Sequence, residues 1–228
     1  MVVGTSAGSF VGSLYAYGYN SFQLQEIAFQ LDKSHVADFI IPDNGFLKGE
    51  KLENYVNFMV GNTPMEKLKI PFYAVATDIK SGEEVVFGTG NTGTAVRASC
   101  SIPGVFRPVV IGNHMYVDGG LVSPVAVNAA RRYGADIVIA VDISAGVQPS
   151  LPQGIIDTML QAIDIMYSRI SAGQIPNADI VIKPRVGTIG SADFNRRHEA
   201  ILEGEKAALN AIPPIQAILQ KLKEENRL

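Results

Sequence analysis

This 228-residue chain has one cysteine, Cys100, and no tryptophan. A single thiol excludes an intramolecular disulfide, and nothing implies an oxidising compartment. No apolar run reaches the roughly 18 residues needed to span a bilayer. The first residues carry no charge ahead of their apolar stretch, so no signal peptide is expected. The expected location is cytoplasmic, with contact at a membrane surface left open. Lysine and arginine never form a run and the formal net charge is −3, so nucleic acid is not an expected partner. No Pro/Gly/Ser-rich linker divides the chain. We therefore expect one domain over residues 1–228, with residues 193–228 as a C-terminal helical segment within it. At 47% hydrophobic and 18% charged, the chain can bury a sizeable core.

The stretch VVGTSAGSFVGSLY, residues 2–15, organises the rest. It reads as a short apolar strand, a turn of small residues and a helix. Ser6 sits at the apex of Gly4-Thr5-Ser6-Ala7-Gly8, a G-x-S-x-G pattern. A serine on a sharp strand-to-helix turn takes up a strained backbone, and side chains two residues either side would collide with it. Glycine at both places removes the clash. The hydroxyl then projects beside unpaired N–H groups at a helix start, which suit a developing oxyanion. The backbone N–H of Ala7 is the candidate donor. Gly8 and Gly12 give the helix a small face for close packing on a sheet.

Further helices are expected over residues 22–31 with Ser21 as cap, 51–60, 94–99 and 154–171. Ser123, Pro124 and Gly134 look like the cap, first position and end of another. A last helical stretch, about 193–226, should break at Pro213-Pro214. Buried strands are expected at 71–77, 136–143 and 179–183, and a second, antiparallel strand at 84–87. Gly112-Asn113 reads as the turn of a hairpin between 109–111 and 114–117. Residues 38–48 read as loop. Gly88 to Gly93 spells G-x-G-x-x-G, but its strand is short and polar and no acidic residue follows about 20 residues on. A turn ahead of a helix is the better account. Alternating strands and helices argue for an α/β fold: three layers, a mainly parallel sheet flanked by helices.

A serine hydroxyl needs a neighbouring base. The histidines are His35, His114 and His198. Ser6, Asp118 and His198 follow the Ser–acid–His order of α/β hydrolases, yet His198 lies in a polar helix start where a solvated histidine is the ordinary reading. Asp118 ends the apolar run Met115-Tyr116-Val117 and precedes Gly119-Gly120, which permit close approach by a ligand or backbone. An aspartate opening a tight turn is the plainer alternative. Arg107 could meet a head group or form a salt bridge. Asp142 could line the cleft or cap a helix. Met159 and Met166 could face an acyl chain or the core.

Three segments together, Gly4-Thr5-Ser6-Ala7-Gly8, Arg97-Ala98-Ser99-Cys100-Ser101-Ile102-Pro103-Gly104-Val105-Phe106 and Tyr116-Val117-Asp118-Gly119-Gly120, closely resemble the patatin-like phospholipase family, in particular its bacterial members. The similarity runs from residue 1 to about residue 144. It implies an α/β sheet fold and a serine–aspartate dyad without histidine, Ser6 as nucleophile and Asp118 as general base. The implied reaction is hydrolysis of lipid acyl esters through an acyl-serine, with no metal or cofactor. The family takes its oxyanion hole from a glycine-rich loop upstream of the nucleophile strand, and five residues precede Ser6 here. An upstream βα unit is therefore expected, and without it exposed apolar sheet should favour self-association. Two alternatives stay open: a Ser6–Asp118–His198 esterase, and an inactive hydrolase-derived interaction module.

Overall fold

The computed structural model describes residues 1–32, 34, 38, 46–144, 152, 154–190 and 193–227. His35 and most of the loop expected over 38–48 lie outside them.

Strand β2 (Phe72–Asp78) is the centre of the fold, with six of its seven residues buried. Its alternation divides two layers. Phe72 and Ala74 pack with Ala16 of α1 (Ala7–Tyr17), Leu52 and Val56 of α3 (Glu50–Met59), and Ala95 and Val96 of α4 (Thr92–Ser99). Val75 points the other way, onto Ala126 and Ala129 at α5 (Val127–Arg132). Helices cover both faces, as the α/β reading requires. α2 (Ser21–Gln30) lies outside this core, against α1 and the long C-terminal helix α7 (Arg197–Glu224).

The edges of β2 explain the site. On one edge β3 (Glu84–Phe87) runs antiparallel, pairing Val86 with Val75 and Glu84 with Thr77. The other edge is shared by two strands in succession. β1 (Val2–Thr5) runs parallel alongside 72–75, ending with Thr5 opposite Val75. β5 (His114–Asp118) comes from the opposite direction and ends with Asp118 opposite Ala76. The two strands therefore meet end to end. β4 (Val109–Ile111) completes the expected hairpin with β5. The sheet is mixed: β1–β2 is parallel, while β2–β3, β2–β5 and β4–β5 are antiparallel. The hairpins supply the antiparallel pairs. A separate parallel pair joins β6 (Ile139–Val141) to β7 (Ile180–Ile182). α6 (Ile155–Gln174) precedes β7.

Several local readings change. Asn20, not Ser21, caps α2, through a capping box with Gln23. α4 starts at Thr92 on an Asn91 cap, so Gly93 is helical and only Gly90, at φ 89°, needs glycine's freedom in the G-x-G-x-x-G run. Ser123 caps nothing: its Oγ is buried without a hydrogen bond, and α5 begins four residues later. β6 covers only three of the eight residues expected, because its partner β7 has three. α7 runs unbroken through Pro213 and Pro214. Both prolines are exposed, as are Leu209 and Asn210, whose carbonyls lose their helical N–H partners and can turn to water.

Candidate active site

Ser6 stands where β1 stops and α1 starts. Its φ of 53° and ψ of −125° fall outside the left-handed helical well, a conformation that costs of order 1–3 kcal/mol in a non-glycine residue. The neighbouring glycines share the burden unequally. A Cβ on Gly4 would lie 2.4 Å from the Gly8 carbonyl oxygen, so Gly4 is required. A Cβ on Gly8 would meet nothing within 4 Å. The expected clash at Gly8 is absent because Gly8 lies on the exposed side of the first helical turn. Gly12 does provide the close packing expected, with Val2 at 2.9 Å and Phe72 at 3.3 Å from a built Cβ.

The end-to-end junction of β1 and β5 brings Ser6 to Asp118. Ser6 Oγ donates to Asp118 Oδ2 at 2.6 Å, a bond between residues 112 apart in sequence. Asp118 is fully buried. Its Oδ1 accepts the Gly120 N–H at 2.7 Å, its carbonyl accepts from Thr77 Oγ1 at 2.9 Å, and its N–H donates to the Ser101 carbonyl at 2.9 Å. Burial pushes the carboxyl up to about 6, against hydrogen bonds from Ser6 and Gly120 that favour the charge. Gly119 is held as tightly: a Cβ there would sit 2.3 Å from the Val75 carbonyl oxygen.

Ser99 bridges the gap between the strand ends. Its Oγ accepts the Ser6 N–H at 2.9 Å and donates to the Val75 carbonyl at 2.6 Å. It thus stands in for a ladder bond that neither strand can supply. This occupies the Ser6 N–H and leaves the N–H of Ala7, for which no acceptor occurs among the described residues, at the start of α1. Thr5 anchors the turn from the other side, donating to the Ser123 carbonyl at 2.7 Å.

The remaining candidates lie elsewhere. His114 Nδ1 pairs with Asp78 at 2.6 Å and its side chain is 61% exposed. His198 is exposed and packs on the Phe29 ring. Neither has a hydrogen bond to Ser6 or Asp118. Asp142 is buried, with Lys183 at 2.9 Å and a hydrogen bond from the Ser144 N–H, a fastening for the β6–β7 pair. Arg97 pairs with Glu53 at 2.9 Å. Arg97 and Arg107 line an open groove with Thr94 and Val110 that neither Ser6 nor Asp118 enters. Cys100 is partly exposed, and desolvation with the nearby Asp118 charge pushes its thiol up to about 12, so it stays protonated. Met159 and Met166 are about half exposed, so neither is simple core. Among the described residues no cluster of three His, Cys, Asp or Glu side chains could hold a metal ion, and no helix is long and apolar enough to cross a membrane.

Two neighbours had no assigned role in the sequence reading. Ser99 lies within the Arg97 to Phe106 segment, but a serine in a run of small residues gives no sign of its partners. Tyr167, on α6, lays its ring on Gly120: a Cβ there would come within 2.3 Å of the ring. Helical spacing alone gave it no distinction from a core residue.

A strand–serine–helix turn, with its hydroxyl bonded to a buried carboxylate at the end of another strand, defines a hydrolase-type nucleophile site on an α/β sheet. The sequence model of the patatin-like phospholipase family matches residues 1–131, and the chain belongs to that family. It is 28% identical to an uncharacterized NTE family protein of Mycobacterium tuberculosis over 92% of this chain and 40% of the relative. A second such protein of that organism is 34% identical over 63% of this chain and 40% of its own length. The Lysophospholipase NTE1 of Meyerozyma guilliermondii is 28% identical over 70% of this chain and 11% of its length. The chain thus spans 40% of the length of these mycobacterial relatives.

Proposed function

We propose that this domain is a serine acyl hydrolase of lipid esters that works through a Ser6–Asp118 dyad. The observation that carries the reading is the 2.6 Å hydrogen bond from Ser6 Oγ to the fully buried Asp118 carboxylate. Ser6 Oγ attacks the ester carbonyl while Asp118 Oδ2 takes its proton. The Ala7 N–H contributes to holding the oxyanion. Asp118 returns the proton to the leaving alcohol, and an acyl-serine remains. Water then attacks the acyl carbon, Asp118 again takes the proton, and the carboxylic acid departs. Burial makes this aspartate a stronger base than an exposed one while leaving it ionised at neutral pH. Family membership and the lysophospholipase among the relatives support a lipid ester as substrate.

The test is labelling with a fluorophosphonate, together with hydrolysis of a lysophospholipid. Labelling should vanish in Ser6→Ala, and hydrolysis should fall by about 10³-fold or more in Ser6→Ala and Asp118→Asn. Full labelling of Ser6→Ala would sink the assignment. A large loss in His198→Ala would favour a triad.

A further inference from the structure

The face of α6 turned toward the segment after Asp118 is unexpectedly polar. Tyr167, Ser171 and Gln174 follow one another at i, i+4 and i+7, so they share one side of the helix. Gln174 Nε2 donates to the Val122 carbonyl at 2.9 Å, which fixes this side against residues 119–123. Four side-chain atoms here are buried without a hydrogen-bond partner: Tyr167 Oη, Ser171 Oγ, Gln174 Oε1 and, across the seam, Ser123 Oγ. An orphaned buried polar group costs about 1–3 kcal/mol, and an apolar residue of the same shape would avoid that cost. Four orphans on one seam therefore mark a place for a small polar guest. Several convergent polar groups are what a buried water requires.

The seam begins at the chemistry. Tyr167 covers Gly120, whose N–H holds Asp118 Oδ1. Its hydroxyl is near enough to feel the Asp118 charge but closes no hydrogen bond to it. Desolvation and that charge hold the phenol above its ordinary value, so it remains a donor. Two polar groups that face each other without bonding can be joined through one water.

We propose that Tyr167 positions the hydrolytic water against Asp118, and that Ser171, Gln174 and Ser123 line the seam that supplies it. The proposal rests on the Ser6–Asp118 reading. In the deacylation step the water oxygen forms a bond to the acyl carbon and its proton passes to Asp118 Oδ2. The bond from the acyl carbon to Ser6 Oγ breaks, and the proton moves from Asp118 to Ser6 Oγ. Tyr167 acts on the water alone, so it governs deacylation and leaves acylation untouched.

The experiment uses Tyr167→Phe in the intact protein with p-nitrophenyl butyrate, whose good leaving group makes acylation fast. The first equivalent of p-nitrophenol should appear at the wild-type rate, followed by a steady state slowed about tenfold or more. Intact mass should show butyryl-enzyme accumulating. Fluorophosphonate labelling, which stops at the first covalent step, should be unchanged. Ser171→Ala is the second variant and should slow the steady state while sparing the burst. Both variants replace an orphaned polar group, so neither should lower the melting temperature. Burst and labelling falling together with the steady state would overturn the proposal and make Tyr167 a support for Asp118 itself. An unchanged steady state in both variants would overturn it as well. Labelling that persists in Ser6→Ala would instead break the dyad reading on which it rests.

Discussion

The junction of β1 and β5 and the β6–β7 pair are both built from short apolar strands, yet they differ in every physical respect. At the junction, Val75, Ala76, Val117 and Asp118 are fully buried, and glycines stand where any added carbon would strike backbone. On β6 and β7, Ile139, Val141 and Val181 are 39–55% exposed, and the one buried charge, Asp142, is met by a lysine. The first region is over-determined and can hold a strained serine. The second has slack, and no strained residue is found there. Strain persists only where the surroundings fix it from several sides.

The sharpest way to test this contrast is to add one methyl group at the junction. In Gly119→Ala the new Cβ would press on the Val75 carbonyl, part of the central strand. We expect loss of soluble, cooperatively melting protein, an effect of about 4 kcal/mol or more. Calorimetry on the purified variant checks it. A melt within 2 °C or so of wild type would refute the idea of a rigid junction.

Next comes a comparison inside the G-x-S-x-G turn. Gly4→Ala should destabilise by about 3 kcal/mol and eliminate Ser6 labelling, because its Cβ meets the Gly8 backbone. Gly8→Ala should fold and melt like wild type, since its Cβ points into open space. Equal damage from the two would show that the turn tolerates neither side chain for a shared reason.

Asp118 gives a prediction of opposite sign for stability and activity. Its folded value of about 6 lies above the ordinary carboxylate value of 3.8. A raised value means that stability is fully present below the unfolded value and is lost as pH rises through the folded one. The loss is about 3 kcal/mol between pH 4 and 8. Asp118→Asn is neutral throughout, so it should melt higher than wild type at pH 8, with the gap closing by pH 4, while hydrolysis is abolished. For the active protein, kcat/KM should climb with pH to a plateau, half-maximal near pH 6. A profile flat from pH 4.5 to 8 would remove Asp118 as the base.

The smallest effects are expected away from the junction. Val181→Ala on the half-exposed β7 should cost under about 1 kcal/mol. His114→Ala should change turnover by less than about twofold, because that ring answers to Asp78 and not to Ser6.

Much of the local structure was legible in the sequence. The turn around Ser6, the helix ending at Gly18 and the hairpin at Gly112-Asn113 follow from short-range rules, and each appears near the expected residues. Errors fell where long-range context decides. β6 is short because its partner is short, α7 crosses two prolines because their unpaired carbonyls face solvent, and Ser123 is drawn into the interior instead of capping a helix.

The sequence by itself determined the chemistry available. One serine stands on a strained turn and one aspartate precedes two glycines, since backbone clashes within a few residues admit little else. Tertiary structure alone decided that these two meet. Their contact depends on which edge of β2 each strand takes, and β3 occupies the other edge. Pairing across 112 residues is a choice among strand registers, settled by burial of the whole sheet. The same holds for Ser99 and Tyr167: their identities are in the chain, but only packing placed a hydroxyl in the gap between two strand ends and a phenol over Gly120.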